Sequence, residues 1–520
     1  MARSVGAQCR PRPARDQVHA GGRACDALET VRTRIFSFAL CVLASSAWAC
    51  TSNSTLDADA SSDAADPGDI VNDLVVDAPP PPPPWPHDLT PAAMFGNARG
   101  LVPARVIIHA HSVHSHDACD GNPYVDGGPN EPCLQDFRLG VCRTRIDIVF
   151  LTEHATLMGD GSFERVLQVR PGDERIEIGG RLVGYWIACA NGHRTMILPG
   201  AENAVMPIAL TRHPDPIGGD QRRAYTEDTA AASAAFHAAG ALVAIPHVEQ
   251  RTVAHMLELQ PELMEVYNIH SNLDPRIAEP FLGFNPGEFF LDLSRFTTDR
   301  NLEADWVAIA FFRENQNDLD KWAQMALMGR RILGFAGSDA HQNAIQGLCN
   351  DGERGDSYRR IFRFFSNMLL LDGPITRERA LDAIRARRGH VVFDAWGTPA
   401  GYDFIVRTTT GGTSTDGDVG ATVRLTDTPL LRMLRPSVAG LNPALPTPTV
   451  RMRILRAEGM SWTEVAAGND ATLEYRVTTA GIYRGEVRIN PLHAAPYIRR
   501  LERVIHEVPW IYSNPVYVDP

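Results

Sequence analysis

The sequence predicts an α/β fold, a TIM-like barrel followed by a β-rich domain, from three observations. Six short apolar runs recur between residues 105 and 341, as they do when strands are buried on both faces of a parallel sheet. The segments between these runs are long enough for helices. Beyond about residue 400, polar and apolar residues alternate, which is typical of half-exposed antiparallel strands.

Each of the six apolar runs ends in a polar residue that is able to bind a metal or a substrate. The runs are RVIIHAH, IDIVFLTEH, TMILPGAE, ALVAIPH, LMEVYN and RILGFAGSDAH. A barrel builds its active site from the carboxyl ends of many strands, whereas an open doubly wound sheet uses one switch point. The repeated endings therefore favour a barrel. The Ala-rich stretch TAAASAAFHAAGA, stopped by Gly240, predicts a helix before the fourth run.

The C-terminal part predicts a small antiparallel, sandwich-like domain over residues 399–520. Its alternating segments are YDFIVRT, ATVRLTD, TVRMRILRA, ATLEYRVTT and IYRGEVRI. The closing PWIYSNPVYV predicts an edge strand, because Pro515 has no N–H to donate to a neighbouring strand. This part shows no cluster of His, Asp and Glu, so we expect it to pack or bind rather than to catalyse.

Length and composition are those of a globular protein with two or three domains. The chain has 520 residues, of which 44% are hydrophobic and 22% charged. A formal net charge of −12 argues against nucleic acid as a partner, since phosphate backbones need a basic face. It does not exclude a phosphorylated small molecule, because bound metal ions reverse the local charge.

The N-terminus predicts export. Arg32 and Arg34 precede the apolar stretch IFSFALCVLASSAWA, which is too short to span a bilayer but suits a signal-peptide core. Two interpretations of its end remain open: Ala47 and Ala49 form a cleavage site, or Cys50 is the lipidated first residue of a lipoprotein. Residues 1–50 are thus a targeting region, and we expect a cell-envelope lipoprotein attached to the membrane through Cys50, or a periplasmic or secreted protein.

Residues 51–102 predict a disordered tether, with the run Pro79–Pro84 as a polyproline spacer, and the folded part is expected to begin near Pro103. Five cysteines follow Cys50, so at least one lacks a partner within the chain. They are Cys119, Cys133, Cys142, Cys189 and Cys349. One loop-closing disulfide among the first three is expected, with its pairing left open.

The polar ends of the runs supply candidate metal ligands. His109 and His111 are two residues apart, so that on a strand they point to the same side. The others follow at later strand ends or in the turn after the first strand: His116, Asp117, His154, Glu202, His247, Asp339 and His341. Imidazole mixed with carboxylate suits Zn, Mn or Fe(II). One catalytic ion does not use this many ligands, so two or three divalent ions are expected, with Glu202 able to bridge two of them.

The ordered motifs HAHSVHSHD, TEH, PGAEN, IPH, EVYN and GSDAH resemble those of the PHP (polymerase and histidinol phosphatase) family. The resemblance covers roughly residues 105–395, and ERALDAIRARRGHVVF is similar to the helix and strand that close many such domains. It implies a distorted seven-stranded TIM-like barrel, here over residues 103–398, with a trinuclear metal site and phosphoesterase activity.

The resemblance also implies how the ligands are shared. His109, His111, Glu202 and Asp339 would hold the first ion, Glu202 and His247 the second, and Asp117, His154 and His341 the third. Three points are open. His116 competes with Asp117, Asn268 or His270 would complete the second site, and Glu153 stands where the family usually has Asp.

We therefore expect a hydrolase that acts on ester bonds. A hydroxide held in a di- or trinuclear metal site would attack a small phosphorylated substrate, with Glu202, Asp339 and His247 as the catalytic residues. Two alternatives are a metal-dependent hydrolase of a non-phosphate substrate, similar to amidohydrolases, and a metal-containing surface binding protein without turnover.

Overall fold

A computed structural model describes residues 81–96, 98–159, 161–499 and 504–520. The targeting region, Cys50 and most of the expected tether lie outside these residues. Within them, no helix is long and apolar enough to cross a membrane. The described residues form one compact unit.

Up to about residue 400 helices lie between many of the strands, although the four strands from Glu174 to Ile208 are consecutive, and beyond it the strands follow one another with few helices between them. The strands are β1 (Val102–Ile107), β2 (Tyr124–Val125), β3 (Gly128–Pro129), β4 (Ile148–His154), β5 (Glu174–Ile178), β6 (Arg181–Ala188), β7 (Arg194–Glu202), β8 (Met206–Ile208), β9 (Leu242–Ile245), β10 (Leu263–Asn268), β11 (Leu333–Gly337), β12 (Ser366–Leu371), β13 (Gly389–Val392), β14 (Pro399–Ala400), β15 (Asp403–Thr410), β16 (Thr413–Gly417), β17 (Thr422–Arg424), β18 (Leu430–Leu434), β19 (Ser437–Val438), β20 (Thr449–Glu458), β21 (Ser461–Gly468), β22 (Thr472–Arg476), β23 (Gly481–Asn490), β24 (Val508–Ser513) and β25 (Val516–Asp519).

The helices of the described residues lie mainly between the strands of the first part. They are α1 (Ala118–Gly121), α2 (Glu131–Arg143), α3 (Ala155–Met158), α4 (Phe163–Leu167), α5 (Gln221–Thr226), α6 (Ala230–Ala238), α7 (Val253–Leu259), α8 (Ile269–Leu273), α9 (Pro275–Ile277), α10 (Phe290–Thr298), α11 (Gln316–Leu327), α12 (Tyr358–Phe364), α13 (Arg377–Arg385) and α14 (Ala495–Ile498). The Ala-rich helix α6 is present as the sequence predicts.

All six apolar runs contain strands, and most of these pair in parallel. β1 pairs with β4, β4 with β7, β9 with β10, and β10 with β11, all parallel. The short strand β8 joins β7 to β9 through antiparallel pairs. Ala110 and Ala340 form a parallel bridge just beyond β1 and β11, and β12 pairs antiparallel with β1. The fold is therefore mixed α/β, while the seven-stranded barrel stays a prediction.

A separate apolar cluster inside these strands explains where the site forms. Ile148 and Phe150, Met196 and Leu198, and Leu333 and Phe335 belong to it. Side chains two residues apart on a strand point to the same side. Continuing each series by steps of two reaches His154, Glu202 and Asp339, so these three candidate ligands follow the apolar cluster on the same side of their strands.

The C-terminal strands continue the same sheet instead of ending in a free edge. β24 pairs with β13 on one side and with β23 on the other. The prediction of an edge strand is therefore wrong. The pairing tolerates proline because Pro509 lies opposite Arg488 at a shift of register, and Pro515 falls between β24 and β25. A second sheet contains β16, β15, β18 and β22.

The folded part begins before Pro103, earlier than the sequence predicts. Trp85 packs its ring 4.9 Å from that of Trp306, and Leu89 and Phe95 are buried. These apolar side chains are few and widely spaced, so the stretch from 85 to 102 shows no periodic pattern that distinguishes it from a linker.

Candidate metal centre

The ends of three strands, β1, β7 and β11, bring His109, His111, Glu202 and Asp339 together. Their ligand atoms all lie within 4.8 Å of one another. Nε2 of His109 is 3.5 Å from Oε1 of Glu202 and 3.4 Å from Oδ1 of Asp339. Nε2 of His111 is 3.5 Å from Oε2 of Glu202 and 3.3 Å from the same Asp339 oxygen. Two imidazoles and two carboxylates thus face one point.

Several of these atoms are buried without a hydrogen-bond partner among the described residues. They include Nε2 of His109, Nε2 of His111 and Oδ1 of Asp339. Burying a polar atom without a partner is costly, and native structures rarely leave one so. Nitrogen and oxygen atoms that converge in this way fit a divalent cation, and imidazole with carboxylate is a common ligand set for Zn²⁺.

The tautomers of His109, His341 and His111 leave their Nε2 atoms able to bind such a cation. Nδ1 of His109 donates to Oε1 of Glu265 at 3.0 Å, and Nδ1 of His341 donates to the carbonyl of Asp339 at 2.8 Å. Nδ1 of His111 lies 2.8 Å from Oγ of Ser115. With the proton on Nδ1, each ring presents the lone pair of Nε2, which is the usual arrangement of a metal-bound histidine.

Glu202 also faces a second group of side chains. Its Oε1 is 3.1 Å from Nε2 of His247, which in turn is 3.5 Å from Oδ2 of Asp339. Nδ1 of His270 lies 3.0 Å from that same oxygen. Of the two open candidates for this position, His270 therefore lies in the site. Asn268 instead caps α8, where its Oδ1 accepts from the N–H groups of His270 and Ser271.

A third group is formed by Asp117, His154 and His341. Oδ1 of Asp117 is 3.2 Å from Nε2 of His154, and its Oδ2 is 3.5 Å from Nε2 of His341. Nδ1 of His154 lies 3.0 Å from Oε2 of Glu202, which connects this group to the first. His116 is exposed, and its ring lies 4.9 Å from that of His154. Asp117 thus contacts both histidines of the group.

Glu153 lies behind the cluster of ligand atoms. It is fully buried and accepts from the N–H and Oγ of Ser112 and from Oγ of Ser115. Because the Ser115 hydroxyl donates its one proton to Glu153, at 2.6 Å, Nδ1 of His111 must donate to that hydroxyl. Glu153 therefore fixes the tautomer of His111 through Ser115 and belongs to none of the potential metal groups among the described residues.

The electrostatics show a centre that favours positive charge. Burial opposes charge, yet Asp339 and Glu265 raise the pKa of His109 to about 10. Burial also opposes the charge of Glu202, yet the histidines around it hold its pKa well below the usual value. His111 differs, because burial and the neighbouring His341 lower its pKa to about 3. When no ion is bound, the positive charge of protonated imidazoles balances the negative charge of the carboxylates.

Glu249 and Ser115 support the cluster, but sequence reasoning does not identify them. Glu249 is buried, with Oε1 3.5 Å from Nδ1 of His247 and 2.9 Å from Oγ of Ser271. Neither residue belongs to a recognisable motif, although each lies within four residues of the histidine that it contacts. Glu265 is different, because it stands in the EVYN motif beside the candidate ligands.

Comparisons with known proteins give a limited result. No family model matches the chain, and no curated protein matches it. One similar solved structure, from Bacteroides vulgatus, is described as a two-domain protein containing a predicted PHP-like metal-dependent phosphoesterase. It is 11% identical, with a TM-score of 0.33, and the match covers 82% of this chain and 98% of that one. The family resemblance of the motifs therefore stays a prediction, while the potential of the site to bind metal follows from its own geometry.

Proposed function

We propose that this protein is a metal-dependent phosphoesterase that hydrolyses a small phosphate ester at the His109–Glu202–Asp339 centre. The observation that carries the proposal is the convergence of the buried, unpartnered Nε2 atoms of His109 and His111 on two carboxylates. The order of the sequence motifs, which resembles the PHP family, supports phosphate as the group attacked.

The residues divide into three sets, of which the first two share Glu202. His109, His111, Glu202 and Asp339 would hold one ion; Glu202, His247 and His270 a second; and Asp117, His154 and His341 a third. These sets supply enough ligands for two or three divalent ions of Zn, Mn or Fe. Such ions, when bound, activate a water molecule and neutralise charge on the phosphoryl oxygens.

The protein's own part is to orient the ligands and to keep the site compact. Glu202 has one oxygen toward His247 and the other toward His154, so one carboxylate spans two sets. Glu265 holds His109 through Nδ1 and also accepts from the backbone N–H of His247 at 2.8 Å. A single buried side chain thus fixes the relative positions of two ligands that are distant in sequence.

The test combines metal analysis with a substrate panel on one sample. We expect more than one equivalent of transition metal, and turnover of phosphomonoesters or phosphodiesters that chelation abolishes and metal restores. Protein that takes up no metal on titration contradicts the proposal. Turnover of amides or glycosides alone would assign the protein to the first alternative, and metal without any turnover to the binding protein.

We further propose that the protein is exported and tethered to the membrane through Cys50. Two disulfides support export, because such bonds persist in oxidising compartments. They join Cys119 to Cys133 and Cys142 to Cys189, leaving Cys349 free and buried. Cys50→Ser should release the protein from the membrane fraction. If mutant and wild type partition alike, the lipid anchor is wrong and simple secretion remains.

A further inference from the structure

Lys321 is the only lysine among the fifty Lys and Arg residues of the chain. It lies on α11, where Nζ donates to the backbone carbonyls of Val248 at 2.7 Å and Glu249 at 2.9 Å. Two consecutive carbonyls thus converge on one atom. An ammonium group is a compact charge that suits such a point, whereas a guanidinium spreads its donors over a planar fork.

The two carbonyls belong to the turn that follows His247. His247 has φ 48° and ψ 50°, a left-handed conformation that residues other than glycine rarely adopt. Its backbone N–H donates to Oε2 of Glu265, and Nε of Arg251 donates to the carbonyl of Pro246 at 3.3 Å. Glu265 and Arg251 hold the start of the turn, and Lys321 holds the carbonyls after His247.

We propose that Lys321 is a positioning residue for His247 in metal binding. By holding the turn from 248 to 249, its ammonium keeps Nε2 of His247 at 3.1 Å from Glu202 and 3.5 Å from Asp339. This inference rests on the proposed function, since it assumes that His247 binds an ion. It adds a residue from α11, outside the strand ends that carry the ligands.

The surroundings of Lys321 make the inference testable. The side chain lines an open groove of about 540 Å³, together with Arg251, Asn317, Asp320 and Gln324. Replacing the ammonium there removes charge from a side chain that faces an open groove, and it creates no closed cavity. Lys321→Met is therefore expected to fold. Gln324 lines the same groove from the same helix, and its Nε2 donates to the carbonyl of Met460. Gln324→Met is therefore the matched control.

The experiment is a Zn²⁺ titration of metal-stripped full-length protein, with elemental analysis of the bound ions. Lys321→Met is expected to bind one ion about 10- to 100-fold more weakly, as observed when outer-shell partners of metal ligands are removed. The remaining ions and the melting temperature of the metal-free protein should match wild type. Lys321→Arg should restore less than the full affinity, and Gln324→Met should behave as wild type.

A double mutant separates positioning from a general effect on the fold. In a His247→Ala background, Lys321→Met should cause no further loss of Zn²⁺ affinity, since its effect passes through His247. A loss of equal size in both backgrounds would overturn the inference, as would full wild-type affinity in Lys321→Met. Wild-type protein that binds no ion would contradict the proposed function itself, and the inference with it.

Discussion

A Cβ atom built at Gly337 would lie 1.7 Å from Oε1 of Glu265 and 3.0 Å from Cβ of His109. β11 therefore approaches β10 so closely at this point that only glycine leaves room for the Glu265 carboxylate. The same oxygen accepts from Nδ1 of His109. Gly337, at the end of β11, thus makes room for the carboxylate that orients His109, a candidate ligand that follows β1.

The first prediction follows from this contact. Gly337→Ala should displace Glu265, lower the metal content, and cost about 1–3 kcal/mol of stability, as overpacking of a tight interior does. Elemental analysis and thermal melting would measure both effects. Gly347→Ala is the control, because a Cβ there would meet nothing within 4 Å. Unchanged metal content in Gly337→Ala would contradict the role given to Glu265.

The second prediction concerns the tautomer of His111. Ser115→Ala removes the hydroxyl that accepts from Nδ1 of His111, and Glu153→Gln removes the carboxylate behind it. Both should weaken metal binding by roughly 10- to 100-fold, the usual effect of losing an outer-shell partner. Ser233→Ala, at a buried serine on α6, serves as the control. Wild-type affinity in both variants would show that His111 does not need this chain of hydrogen bonds.

The third prediction tests the shared carboxylate. Glu202→Gln keeps the shape of the side chain and removes the charge that faces His154 and His247. It should abolish turnover and lower metal content with the fold retained, whereas Asp117→Asn should cost less if Asp117 binds only the third ion. His193→Ala is the control, since Nε2 of His193 donates a hydrogen bond to the backbone carbonyl of Ile146. Phosphoesterase activity that survives Glu202→Gln would exclude the proposed mechanism.

The fourth prediction is a pH dependence of stability that arises away from the metal centre. Burial lowers the pKa of His390 to about 3 and that of His493 to about 4. A lowered pKa in the folded state means that the unfolded chain binds the proton first. The contribution of each histidine to the free energy of unfolding is therefore complete above pH 6.5. It is lost as the pH falls toward the pKa of the folded state.

Between pH 7 and pH 5 the free energy of unfolding therefore falls by about 2 kcal/mol per histidine, because in the unfolded chain each histidine has a pKa of 6.5 and binds a proton. His390→Phe, in a site walled by Phe95 and Tyr402, should remove one such contribution. Denaturant unfolding at both pH values would measure the difference. An equal fall in stability for wild type and variant would show that His390 does not titrate as described.

The sequence by itself determined the strands and most of the candidate ligands. Largely apolar runs identified β4, β7, β10 and β11, because burial on both faces leaves few polar positions within a strand. The candidate ligands were recognisable because each stands within a few residues of such a run, where the strand carries it to the common end of a parallel set. Local pattern and position along the chain sufficed for both.

Only the tertiary structure decided the remaining features. His270 rather than Asn268 reaches Asp339, since that choice depends on how the chain turns after β10. Lys321 holds a turn that is near it only in the folded chain, and Glu249 and Ser115 also contact the distant residues Ser271 and Glu153. β24 is an inner strand although Pro515 suggests an edge, because Pro515 lies beyond β24 and leaves it free to pair with both β13 and β23. Sequence patterns report on the solvent exposure of a residue, whereas these features depend on contacts between segments that are distant along the chain.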